Sequence, residues 1–139
     1  MATVSLSIPP RSQYVGVVRL AISSLARAAG LDEEAVDDLK IAVSEACTNA
    51  VESNEEAGSD DPISIEWTDE ENLVRVEIGD RRQSVEPSEA GVDTQGFSTR
   101  LTMSLALLES LVDHFELSPR EGGGMFTRLV LERSPSNAT

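Results

Sequence analysis

Glu45 and Asn49 stand four residues apart in the stretch LKIAVSEACTNAVESN, residues 39–54. On a helix that spacing stacks the two side chains on one face, one turn from each other. A carboxylate and a carboxamide placed this way suit phosphoryl transfer. The carboxylate can accept the proton of an attacking hydroxyl or polarise it. The carboxamide can offer its carbonyl oxygen to a magnesium ion, a hard cation that prefers oxygen ligands. Taken alone, such a pair is more often a solvated helix face than a site. The elements that position it have to decide.

The helix itself is well marked. Val36, Leu39, Val43, Ala46, Cys47 and Ala50 recur at helical spacing and predict one buried stripe. Asp32 is a good N-cap, with Glu33 and Glu34 in the favourable first turn, and the helix is expected to run through residue 54. An earlier helix is predicted over 12–29, with Tyr14, Val17, Val18, Ala21, Ile22 and Leu25 inward and Gly30 stopping it. Ahead of it, Val4, Leu6 and Ile8 alternate with small polar residues as a half-buried strand that Pro9 and Pro10 end.

Residues 55–62 read as an acidic, solvated loop. Ile63, Ile65 and Trp67, then Val74, Val76 and Ile78, alternate as a hairpin with its turn at 69–72. Residues 79–98 show no period, and a mobile binding loop and a disordered connector describe them equally well. A third helix is predicted over 99–112, with Leu101, Leu105, Leu108 and Leu111 or Val112 inward. A strand over 113–117, a turn at Gly122, Gly123 and Gly124, and an alternating strand through Met125, Thr127, Leu129 and Leu131 close the chain. This order implies a two-layer α/β sandwich, a mostly antiparallel sheet covered on one face by helices.

The chain has the length of one domain, with a net charge of −14. That charge argues against nucleic acid, whose phosphates demand basic partners, and against anionic membranes. It suits a protein partner with a basic patch. Cys47 is the only cysteine, so no internal disulfide can form, and its place on the apolar stripe predicts a buried small hydrophobe. His114 is the only histidine, and without neighbouring ligand types it reads as a surface strand residue. Trp67 reads as a core-edge residue. With no charged leader and no segment long enough to span a bilayer, the expected location is cytoplasmic.

The phrase Ser44-Glu45-Ala46-Cys47-Thr48-Asn49-Ala50, set in this order of elements, resembles the N box of the bacterial anti-sigma-factor serine kinases. They belong to the ATPase superfamily shared with histidine kinases and type II topoisomerases. Asp80 after the second hairpin strand, Leu111-Val112-Asp113 after the third helix and the closing Gly-rich hairpin extend the resemblance over residues 4–132. It implies one ATPase-type domain over 1–139, with three helices on the sheet. It further implies a protein that binds an alternative sigma factor and phosphorylates a serine on an anti-anti-sigma partner, using ATP and magnesium, with a homodimer as one assembly open to it. By position, Glu45 is similar to the family's catalytic base, Asn49 to its magnesium ligand and Asp80 to its adenine-reading aspartate.

The chain departs from the family at its glycines. Arg82 and Ser84 stand in the Asp-x-Gly-x-Gly positions, and Thr102 and Ser104 in the phosphate-loop Gly-x-Gly. Glycine in such loops lets bare backbone N–H groups approach phosphate. Ser53 stands where a histidine is usual and Met125 where a threonine is expected. The hydroxyls of Thr102 and Ser104, with charge from Arg81, Arg82 or Arg100, are the candidate replacements for the lost backbone contacts, against the plainer and favoured reading of the arginines as solvated loop charges. Two functions are therefore expected side by side: an active serine kinase, and a binding module that sequesters a sigma factor or related regulator without ATP turnover.

Overall fold

Five alternating runs pair into one sheet. The computed structural model describes residues 2–80, 99–119 and 125–133. The strands are β1 (Ala2–Ile8), β2 (Ile63–Asp69), β3 (Leu73–Asp80), β4 (His114–Pro119) and β5 (Met125–Glu132), in the spatial order β1-β2-β3-β5-β4. Every neighbouring pair is antiparallel. The helices are α1 (Val15–Ala28), α2 (Glu33–Ala57) and α3 (Thr99–Leu111).

The register explains why the helices lie on one side. Val4, Trp67, Val76, Leu129 and Phe115 face one another in a single row across all five strands. Trp67, Val76 and Leu129 in that row are buried. The next row places Glu77, Arg128 and Glu116 side by side on the opposite face. There Arg128 Nε donates to Glu77 Oε2 at 2.9 Å and Arg128 Nη1 to Glu116 Oε2. Period-two alternation thus gives one oily face for the helices and one charged face for water.

Helix α2 is the central element, flanked by α1 and α3 and lying over β3 and β5. Its N-terminus is capped as expected, Asp32 Oδ1 accepting from the Ala35 N–H at 2.8 Å. Its C-terminus lies beyond the expected residue 54. Glu55, Glu56 and Ala57 are good helix formers, and the helix stops only where Gly58 takes φ 64°. Helix α1 begins as a 3₁₀ turn over Ser12–Tyr14. Its buried residues include Val15, Val18, Ile22 and Ala26, while Val17, expected inside, is 50% exposed. Apolar residues crowd both sides of this helix, so its sequence period leaves the facing side open.

On α3, Leu108 is fully buried and Val112 just beyond the helix is buried too. Leu105 and Leu111 are half-buried. Gly79 and Asp80, expected in the unpatterned run 79–98, instead complete β3 opposite Ser64 and Ile63. The rest of that run, the side chain of Leu101 and the glycine turn 122–124 lie outside the described residues. Beyond β5, Arg133 ties the ends of three elements together. It donates from Nη2 to the Ala29 carbonyl at 2.6 Å and from Nη1 to the Glu70 carbonyl at 2.9 Å, and it pairs with Asp69. His114 is exposed, 3.1 Å from Glu132.

Candidate functional site

The stripe predicted for α2 is buried throughout: Val36, Leu39, Val43, Ala46 and Cys47 at 0% exposure and Ala50 at 2%. Packing of that stripe fixes the rotation of the helix and so the direction of the neighbouring side chains. Asn49 is carried inside with it, at 1% exposure, and Glu45 one turn earlier is half-buried. A polar pair in this position is not a solvated face. Buried carboxylates and amides are rare unless hydrogen bonds or ligands meet them.

One such partner comes from α3. Ser104, 59 residues further along the chain and 2% exposed, donates its hydroxyl proton to Glu45 Oε2. Thr102, two residues before it, is exposed. Residues i and i+2 on a helix point in different directions, so the two hydroxyls at the phosphate-loop positions face different sides of α3. Asp80 closes β3 opposite Ile63. Its side chain lies outside the described residues, as do Arg81, Arg82 and Ser84.

Two further polar residues emerge only in three dimensions. Asn54, 1% exposed, donates from Nδ2 to the Asp61 carbonyl at 2.9 Å and so fastens the chain between α2 and β2. Thr127 lies on the helix-facing side of β5, opposite Ile78 and two residues in register from the end of β3. It is 1% exposed and its Oγ1 has no hydrogen-bond partner among the described residues. An unmet buried hydroxyl costs free energy unless water or a ligand satisfies it. Its signal in the sequence is a lone polar residue in the inward row of Met125, Leu129 and Leu131.

The donor types fit a magnesium nucleotide. Glu45, Asn49, Ser104 and Thr127 offer only oxygen and amide groups. No group of three or more His, Cys, Asp or Glu among the described residues could cage a cation. Magnesium is commonly held by one or two protein oxygens together with phosphate oxygens, so Asn49 would act with the nucleotide's phosphates and not in their place.

Cys47 is no part of this chemistry. Burial pushes its thiol from about 9 up to about 12. The sign follows: the unfolded chain releases this proton first, so stability falls as pH rises from about 9 toward about 12. Denaturant titration across that window is expected to show the fall, and Cys47→Ala to flatten it. Thiol alkylation at neutral pH is expected only once the protein is unfolded. Among the described residues no helix is long and apolar enough to cross a membrane.

Residues 8–131 match the family described as the histidine kinase-like ATPase domain. The serine-protein kinase RsbW of Listeria monocytogenes serotype 4a is 34% identical over 128 residues, covering 86% of this chain and 81% of the relative. RsbW of Bacillus subtilis is 29% identical over 127 residues, covering 86% and 79%. In three dimensions the chain is similar to the crystal structure of the RsbU and RsbW domains of Rv1364c from Mycobacterium tuberculosis, with a TM-score of 0.67 at 21% identity. That match covers 96% of this chain and 34% of the longer one, and it supports the fold.

Proposed function

We propose a function from one premise: the chain belongs to the anti-sigma-factor serine kinases, within the histidine kinase-like ATPase family. It works as one ATPase-type domain in the cytoplasm. It sequesters an alternative sigma factor, and it phosphorylates a serine on the anti-anti-sigma partner that releases it. The observation that carries this reading is the contact at Glu45. A carboxylate on the central helix already accepts a hydrogen bond from a serine hydroxyl, with buried Asn49 one turn away.

In this reading Glu45 accepts the proton of the partner's serine as its oxygen bonds to the γ-phosphorus and the bond to the ADP oxygen breaks. Asn49 holds magnesium through its carbonyl oxygen. Asp80 accepts from the adenine amino group. Thr102 keeps a hydroxyl on the exposed side of α3 to meet phosphate. When bound, magnesium ATP supplies the phosphoryl group and the neutralisation of its charge. The rest of the catalysis is positioning, and the buried stripe of α2 provides it. For partner binding, Val17 and Leu20 present apolar area on α1, at 50% and 71% exposure, on an acidic protein.

A second reading keeps the binding and drops the turnover. It is favoured by Arg82, Ser84, Thr102 and Ser104 at the four glycine positions. The test is incubation of the full chain with γ-labelled ATP, magnesium and the anti-anti-sigma domain of the same organism, with a sigma pull-down in parallel. Phosphoserine on the partner together with a captured sigma factor supports the kinase. Capture without phosphoserine supports the binding module. If both signals are absent, neither function stands.

A further inference from the structure

We propose that Ser104 is a positioning residue that latches Glu45. Its hydroxyl takes, from within the chain, one of the acceptor sites on the carboxylate that a substrate serine would use, and by weakening the base it sets a low basal rate. The inference rests on the reading of Glu45 as the base. It concerns how that base is held when no substrate is present.

Three observations lead to it. The contact joins two elements, Ser104 on α3 and Glu45 on α2, and is not a local helix bond. Ser104 is 2% exposed, so water does not compete for its proton. The donor is also the same functional group as the intended substrate, a primary alcohol on a serine. A carboxylate has about four acceptor sites, so this bond does not close Glu45 to a second hydroxyl; it occupies Oε2 and stabilises the anion, which makes Glu45 a weaker base toward a substrate serine. Helix α3 has the means to release it. The helix is anchored at its far end by Leu108 and Val112, whereas Met103 beside the latch is 68% exposed. A partner covering Met103 would bear on the turn that carries Ser104.

Ser104→Ala removes one buried oxygen and leaves the volume nearly unchanged, so the variant is expected to fold. A hydrogen bond to a charged group is strong enough that its loss should raise kcat for transfer to the anti-anti-sigma domain about tenfold. Nucleotide-free affinity for that domain provides a readout independent of turnover. It should tighten in Ser104→Ala, and the gain should vanish when the partner's target serine is alanine, as a double-mutant cycle requires. If transfer is absent throughout but the hydroxyl-dependent gain appears, the latch stands and the kinase reading falls. If wild type transfers and Ser104→Ala is equal or slower, with no gain in affinity, the latch is overturned and the base remains. Absence of both signals overturns both.

Discussion

Replacing Glu45 by glutamine is expected to cut phosphotransfer by about 10²–10⁴-fold, the usual range for a general base. Fold and partner binding should survive. Glutamine keeps the length of the side chain, and its carbonyl oxygen can still accept the Ser104 hydroxyl proton. Glu45 is only half-buried, so the change strands no deeply buried charge. Single-turnover rates set beside a urea unfolding curve separate the effects. Lost transfer with an unchanged midpoint supports the assignment. Transfer at the wild-type rate places the base elsewhere, and an unfolded variant makes Glu45 structural.

Leu39→Ala is expected to act in the opposite way, through stability. Leu39 is at 0% exposure in the stripe of α2, and truncating such a leucine costs about 2–5 kcal/mol from lost transfer energy plus the cavity left behind. A domain has about 5–15 kcal/mol in total, so this is a large share. Because α2 carries Glu45 and Asn49 as well as the packing against α1 and α3, transfer and partner binding should decline together. Urea unfolding measures the loss directly. A loss well under 1 kcal/mol would mean that the stripe does not set the position of the helix.

The contrast between these two substitutions shows where the sequence was readable. The stripe from Val36 to Ala50 and the alternation in β2, β3 and β5 each have one apolar phase, so both the elements and their inward faces followed from spacing. Helix α1 has apolar residues on several sides, and there Val17 turned out exposed and Val15 buried. The acidic residues 55–57 resemble loop, so spacing alone ends α2 at residue 54, short of its true end at Ala57. Helix propensity runs on to Gly58, where the backbone first turns left-handed. The Glu45–Asn49 pair was visible as an i, i+4 spacing. Its burial was not, because burial depends on which side of α2 the sheet covers. The Ser104 contact links residues 59 apart, and no local pattern reports it. Alternation places Thr127 inward on its strand, and only the assembled sheet shows its hydroxyl unmet among the described residues.

The central claim is that α2 holds Asn49 and Glu45 at a magnesium-nucleotide site, and calorimetric titration of the full chain with ATP tests it most directly. Saturable binding in the micromolar range is expected with magnesium present, weakened when magnesium is removed and weakened in Asn49→Ala. No heat at millimolar ATP, or binding indifferent to magnesium and to Asn49, would contradict it.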